Sequence, residues 1–99
     1  MTTKIQRSSG NVFRDVGFPP EEAENLRLRS ELMVQVRRIL ETRKLTQAAG
    51  AELFGVTQPR ISDLVRGRIE LFSIDGLVNM LAHAGAQVTL TVKQSRQVA

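Results

Sequence analysis

The chain has 99 residues and no cysteine, which allows one small domain and excludes disulfide bonds and thiolate metal sites. Aromatic residues make up 4% of it, with no Trp or Tyr, so there is little material for stacking nucleic-acid bases. The net charge is +4, and no apolar run approaches the roughly 20 residues of a membrane-spanning helix.

The first predicted elements are a tail, an extended segment and a long helix. Residues 1–10 are polar and lack the apolar core of a signal peptide, so we expect a flexible tail and a cytoplasmic protein. The stretch "NVFRDVGF" is interpreted as a short extended segment that ends at Gly17. Pro20 then suits the first turn of a helix. Apolar residues recur at helical spacing as far as Leu40, which predicts one amphipathic helix over about residues 20–43.

Two short helices follow, separated by a tight turn. Thr46 is a candidate N-cap for a helix of about eight residues that stops at Gly55, where a positive φ is tolerated. Thr57 is expected to cap the next helix, which Gly67 ends. Pro59 is compatible with this second helix because it lies in the first turn.

A fourth helix and a strand complete the expected domain. Ser73 caps the helix and Gly85 ends it. Residues 86–93 then alternate strictly between apolar and polar, which predicts a half-buried β-strand. We therefore expect a domain over residues 11–93 with its dimerisation strand at 86–93, and a C-terminal tail at residues 94–99.

The predicted strand needs a neighbour, because an unpaired edge exposes backbone donors and acceptors. The only other candidate in the chain is the stretch near Val12 and Phe13. Pairing with the same strand of a second subunit is the economical solution, so a homodimer held by Val88, Leu90 and Val92 is expected. The alternative is a lone edge strand packed on its own helices.

Positive charge is concentrated on the two short helices. The segment of residues 37–68 contains seven basic and three acidic residues, so it accounts for the whole net positive charge of the chain. A localised basic patch of this kind suits the phosphate backbone of double-stranded DNA. The alternative is that these side chains only solvate helix faces, which is the preferred reading for Arg37 and Arg38.

The stretch "LTQAAGAELFGVTQPRISDLVRG" combines an apolar inner face with a polar outer one. Val56, Ile61 and Leu64 are placed to hold the two helices together, while the residues between them stay polar. A helix pair used only as core does not need a hydrogen-bonding outer face. A helix that lies in the major groove of DNA does.

This stretch resembles the helix-turn-helix of the Xre family, which includes the lambda-type repressors. With "NVFRDVGF" before it and "FSIDGLVNMLAHAGAQVTLTV" after it, the likeness is closest to the HigA-like antitoxin branch. The resemblance covers roughly residues 10–93. It implies a mainly α, lambda repressor-like bundle of four to five helices, here with a C-terminal β-strand used in dimerisation. It also implies a dimer that binds a palindromic operator and regulates transcription, usually as a repressor.

The resemblance also implies roles for individual residues. Base edges would be read by the start of the second short helix, through Gln58, Pro59, Arg60, Ser62 and Asp63. Gln58 is suited to adenine and Arg60 to guanine. The alternatives are that Gln58 is only an exposed helix start and that Asp63 only orients a neighbouring arginine.

Phosphate contacts are expected on both sides of these readers. The candidates are Lys44, Gln47, Thr57, Arg66 and Arg68. Gly50 departs from the pattern of a stable helix, at a cost of up to about 1 kcal/mol relative to Ala. Position 49 is Ala, so Thr46 lacks the partner of a capping box.

Other function classes are less well supported. His83 is the only histidine and has no ligand partner at metal spacing, so it is interpreted as a plain helix residue, and no metal or other cofactor is expected. With no catalytic constellation we expect neither an enzyme nor a small-molecule substrate. The remaining alternative is a protein-binding module that neutralises a small toxin, through the N-terminal tail and the acidic residues Glu21, Glu22 and Glu24.

Overall fold

The structure is a computed structural model that describes residues 10–94. Within that range the chain is mainly helical, with five α-helices and one 3-10 turn. In chain order they are α1 (Val12–Val16), α2 (Pro20–Thr42), α3 (Gln47–Phe54), α4 (Gln58–Val65), the 3-10 turn (Ile69–Leu71) and α5 (Ile74–His83). The four helices predicted from residue 20 onwards are confirmed. The expected tails lie outside the described residues, apart from Gly10 and Gln94.

The interpretation of "NVFRDVGF" as an extended segment was wrong, because this stretch forms α1. The side chain of Asn11 caps the helix: its Oδ1 accepts hydrogen bonds from the backbone N–H groups of Phe13 at 2.9 Å and Arg14 at 3.3 Å. Its Nδ2 donates to the carbonyl of Ala23 at 3.2 Å, which ties α1 to α2. The asparagine cap thus starts a helix where an extended segment was expected. Gly17, with φ 120°, ends the helix.

Helix α2 forms one side of the hydrophobic core, and the shorter helices pack against it. Most of its buried residues are three or four positions from the next, as on one face of a helix that covers a core. The largest fully buried side chains of the domain come from four helices: Val36, Phe54, Ile61, Leu64 and Leu77. The two helices of the motif are thereby fixed to α2 and α5 by side chains that water does not reach.

Gly50 allows α3 to approach α2 closely. A Cβ atom at this position would collide with Cδ2 of Leu40, which is itself buried in the core. The glycine was expected only to weaken α3. Glycine lowers the helix propensity of α3, but any larger residue at this position would collide with Leu40.

The predicted C-terminal strand is not supported. Within residues 10–94 no stretch forms a β-strand, and residues 86–94 run on from α5 without a ladder of hydrogen bonds. The physical reason is that a strand needs a partner, and the only intrachain candidate forms α1 instead. The alternation still has an effect, since Ala86 and Val88 pack against the core while Leu90 and Val92 are 64% and 85% exposed.

Candidate nucleic-acid interface

Glycine and threonine shape the turn between α3 and α4. The Thr46 hydroxyl accepts a hydrogen bond from the N–H of Ala49 at 3.1 Å, so this predicted cap is confirmed. Gly55 adopts the left-handed conformation, with φ 69° and ψ 33°, as expected. The N–H of Gly55 donates to Glu52, and that of Val56 donates to Ala51 at 3.0 Å. These two bonds are those of a Schellman motif, which stops α3 and turns the chain into α4.

Thr57 occupies the N-cap position of α4, but its side chain makes no capping hydrogen bond. A capping hydroxyl needs the N–H group of the second or third helical residue. The second residue is Pro59, which has no N–H, and the N–H of Arg60 donates to the backbone oxygen of Thr57 at 3.1 Å. The prediction that this side chain caps the helix was therefore wrong. Its hydroxyl remains exposed at the start of α4.

Helix α4 has a buried face and an outward face. Ile61 and Leu64 are buried and fix the helix to the core. The outward face consists of residues spaced three or four positions apart, which therefore lie on one side of the helix: Pro59, Ser62, Asp63 and Arg66. Gln58 is exposed beside it at the first position. This surface combines a carboxylate, a hydroxyl, an amide and a guanidinium, which are groups that hydrogen-bond to base edges and phosphates.

Arg60 does not belong to this outward face. It precedes the buried Leu64 by four residues and so lies on the flank nearer to the core. Its guanidinium carbon is 4.2 Å from the centroid of the Phe72 ring, and its Nη1 donates to the carbonyl of Leu71 at 2.9 Å. The structure therefore separates Arg60 from the other four residues that were expected to read bases.

The five predicted phosphate contacts are all exposed and lie around α3 and α4. Lys44 has a φ of 54°, the only positive φ of a non-glycine residue in the described part of the chain. It stands at the turn into α3, directly ahead of the helix on which Gln47 is the first residue. Arg66 follows α4 as its C-cap residue. Basic side chains thus stand before and after the motif, as phosphate contacts would require.

Arg68 already has a partner on the protein. Its Nε lies 3.2 Å from Oε2 of Glu70. The pKa of Glu70 is lowered from its ordinary value by a hydrogen bond from its own backbone N–H and, second, by the hydrogen bond from Arg68. A phosphate at Arg68 would therefore compete with this carboxylate.

Two further side chains at the motif, those of Arg29 and Phe72, were not predicted from the sequence. Arg29 of α2 donates from Nη1 to the carbonyls of Ile69 at 3.2 Å and Phe72 at 3.1 Å. Phe72 is 3% exposed. A signal for it was present, because an apolar residue directly before an N-cap such as Ser73 commonly packs on the first turn of the helix.

His83 has a more specific role than that of a plain helix residue. Its Nδ1 is 2.9 Å from the carbonyl oxygen of Leu53, at the end of α3. Its ring also lies so close to Gly55 that a Cβ atom there would be 2.8 Å from the ring. Helix α5 is thereby attached to the turn of the motif.

Residues 10–94 contain neither a cluster of metal-binding side chains nor a membrane-spanning helix. No group of three or more His, Cys, Asp or Glu side chains is arranged there to hold a metal ion. Across the same range, the helices are either too short or too polar to span a membrane.

Comparison with known proteins agrees with the geometry of α3 and α4. No curated protein matches the sequence at a significant level. A family described as a helix-turn-helix domain matches residues 12–93, which include every helix in the described part of the chain. The match extends over most of the chain, and such domains are typically DNA-binding rather than enzymatic. The protein belongs to this helix-turn-helix domain family.

Proposed function

We propose that the protein is a sequence-specific DNA-binding regulator of transcription whose reading helix is α4. The observation that carries this proposal is the outward face of α4. It presents Pro59, Ser62, Asp63 and Arg66 on a helix that Ile61 and Leu64 anchor in the core. In a helix-turn-helix domain this is the helix that enters the major groove.

Affinity and specificity are assigned to different residues. The phosphate contacts at Lys44, Gln47 and Arg66 supply affinity for any duplex. This contribution decreases as the salt concentration rises. Specificity comes from side chains that reach base edges, for which Gln58, Ser62 and Asp63 are best placed. Each good contact contributes about 1–3 kcal/mol of discrimination between bases.

We further propose that the protein acts as a homodimer on a palindromic operator and represses transcription in the cytoplasm. Leu90 and Val92 support the dimer, because two large apolar side chains on one extended segment are largely exposed. Burying them against a second copy would remove this surface from water. A two-fold dimer then places its reading helices about 34 Å apart, one turn of the double helix.

Selection from a random pool of DNA duplexes at near-physiological salt tests this proposal. We expect a two-fold symmetric consensus with half-sites about one helical turn, roughly 10 base pairs, apart. A single asymmetric half-site would contradict the dimer but not the reading helix. No enrichment, together with salt-sensitive binding to every duplex, would refute sequence-specific recognition.

A second candidate function is that of an antitoxin, which the resemblance to the HigA-like branch of the Xre family supports. The structural observation in its favour is the apolar surface of α1. Val12 and Val16 are 63% and 71% exposed on one side of this helix, and Phe18 follows. The acidic first turn of α2, with Glu21 and Glu22, follows α1 a few residues later in the chain. A basic, partly apolar toxin would find both complementary charge and apolar area there.

Coexpression with the product of a short adjacent reading frame tests this second function. We expect the two proteins to purify together and the association to weaken in a Val12→Asp, Val16→Asp variant. Arg38→Asp, a charge change on an exposed residue of α2, is the control. If both variants retain the partner equally, the face of α1 is not its binding site.

A further inference from the structure

The side chain of Arg60 connects the reading helix to the segment that follows it. The guanidinium stacks on Phe72 with its carbon 4.2 Å from the ring centroid, and Nη1 donates to Leu71 at 2.9 Å. Stacking over an aromatic ring and a hydrogen bond to a carbonyl both use the guanidinium in the fixed geometry that it prefers. In this position it is not aimed at a DNA groove beside α4.

A second arginine binds the same segment from helix α2. Arg29 of α2 donates from Nη1 to the carbonyls of Ile69 and Phe72, and its Nε donates to Asn25 at 2.7 Å. The segment of residues 69–72 thus accepts hydrogen bonds from an arginine of α2 and from an arginine of α4. The Phe72 ring, 3% exposed, is enclosed where these contacts meet.

This arrangement bears on how α4 is oriented. The helix has only eight residues, and Ile61 and Leu64 are its only buried side chains. Two anchors near the middle and end of a short helix leave its first turn, with Gln58 and Pro59, less constrained. Arg60 stands in that first turn and ties it to Phe72. A change in tilt there would displace all the readers together.

We propose that Arg60 is a positioning residue, which sets the orientation of α4 through Phe72 instead of reading a base. The inference rests on the proposed function, since it takes α4 as the helix that reads DNA. It assigns base recognition to Gln58, Ser62 and Asp63, and it assigns to Arg60 and Arg29 the support of the segment behind them. A guanine contact by Arg60 is the competing assignment.

The test is a double-mutant cycle with Arg60→Met, Phe72→Leu and the two combined. DNA affinity is measured for the selected duplex and for every single-base variant of it, well below the melting temperature of each protein. Arg38→Met removes the same charge from an exposed site and is the control. Phe72→Met replaces Phe72→Leu if the latter is not folded at the assay temperature.

We expect each single substitution to weaken binding to the selected duplex roughly tenfold, with the loss spread over all positions of the half-site. The double variant should bind no more weakly than the single variants, because both remove one contact. Arg38→Met should stay near the wild-type affinity. A simple loss of stability would not produce this pattern, since all the proteins compared are folded.

Two results would overturn the inference. In the first, Arg60→Met loses its preference for one base pair while Phe72→Leu binds the selected duplex with unchanged affinity. Arg60 would then contact a base directly. The second is full additivity of the two substitutions, both in affinity and in melting temperature. A wild-type protein that selects no consensus would instead refute the proposed function. The same double-mutant cycle, measured in melting temperature, would still test the contact between Arg60 and Phe72.

Discussion

The imidazole Nδ1 of His83 lies 2.9 Å from the backbone carbonyl oxygen of Leu53, so α5 is joined to the end of α3. Because a carbonyl oxygen can only accept a hydrogen bond, Nδ1 is the donor in this pair. The same ring covers the turn at Gly55. The His83 side chain therefore hydrogen-bonds to a carbonyl at the end of α3. It also leaves no room for a side chain larger than that of glycine at position 55.

Gly55→Ala should be more destabilising than Gly67→Ala. Both glycines have positive φ, 69° and 75°, so both substitutions incur about 1–2 kcal/mol of backbone strain. At Gly55 the new Cβ would also lie 2.8 Å from the His83 ring, whereas at Gly67 nothing lies within 4 Å. We expect about 1–3 kcal/mol of additional loss from overpacking at Gly55, measured by urea unfolding.

A double variant separates these two causes. In Gly55→Ala with His83→Ala the steric part should be relieved, so the combined loss should be smaller than the sum of the single losses. Equal losses for Gly55→Ala and Gly67→Ala would contradict the contact with the ring.

Gly50→Ala should destabilise the protein although it places a better helix former inside α3. The gain in propensity is up to about 1 kcal/mol, while forcing a methyl group against Leu40 costs about 1–3 kcal/mol. Leu40 is buried, so the new methyl group would have to displace a side chain of the core. Thermal melting measures the balance.

Ala48→Gly in the same helix is the control for propensity alone, because Ala48 is exposed. It should cost no more than about 1 kcal/mol. If Gly50→Ala raised the melting temperature, the close approach of α3 to α2 would not be required.

The ion pairs at the start of α2 should add a small stability that disappears in acid. Arg27 lies 2.6 Å from carboxylate oxygens of both Glu24 and Glu31. The hydrogen bond from Arg27 holds the pKa of Glu24 below its ordinary value of 4.5. The folded state therefore binds the proton of Glu24 less readily than the unfolded chain does, so this contribution is complete well above pH 4.5 and is lost as the pH falls below it.

Glu24→Gln measures this contribution. Because the pair is exposed, the loss at pH 7 should be no more than about 0.5 kcal/mol and should shrink in high salt. Wild type and variant should converge in stability as the pH falls well below 4.5. A difference that persists there, in urea unfolding at both pH values, would mean that the carboxylate charge is not the cause.

Gln58→Ala and Arg66→Ala should weaken DNA binding in different ways. Loss of a base contact at Gln58 should relax the preference at one base pair by about 1–3 kcal/mol. Loss of a phosphate contact at Arg66 should weaken binding to all duplexes alike and reduce the salt slope by about 1. Fluorescence anisotropy with matched and single-base-variant duplexes, at several salt concentrations, distinguishes the two.

Arg38→Ala is the matched control for the second substitution, since it removes one positive charge from an exposed residue of α2. Its salt slope should stay close to that of the wild type. If Gln58→Ala lowered the affinity for every duplex equally, Gln58 would be a phosphate contact instead of a reader.

Leu90→Asp should dissociate the proposed dimer without unfolding the protomer. The side chain is 64% exposed, so its replacement removes little packing from the monomer, but a charge at an apolar interface is costly. Sedimentation equilibrium should show the wild type as a dimer and the variant as a monomer. Thr91→Asp places the same charge on the neighbouring residue and should have the smaller effect. A wild type that sediments as a monomer would refute this assignment.

Local sequence was sufficient to predict most of the helical fold. Helices α2 to α5 were found because caps and stops such as Thr46, Gly55 and Ser73 act within one turn of the chain. The apolar spacing of α4 likewise indicated which face is buried. Caps and apolar spacing involve residues close together in the chain, so they can be recognised directly in the sequence.

The errors occurred where the outcome depends on a partner or on a competing local bond. The alternation of residues 86–93 is real, but a strand also requires a second edge, and α1 removed the only candidate within the chain. For α1 itself, the cap and hydrogen bond of Asn11 to Ala23 prevailed over an apparently extended stretch. At Thr57 a proline removed the N–H group that a cap would use.

What the sequence by itself determined was the motif, its charge and the positions that can face DNA. Only the tertiary structure showed that Arg60 turns to Phe72, that Arg29 holds the same segment and that His83 covers Gly55. These contacts join residues that are 12 to 43 positions apart in the chain. They also depend on which conformation a flexible arginine or histidine side chain adopts. Such choices follow from the packing of helices around a common core, which no pattern along the chain encodes.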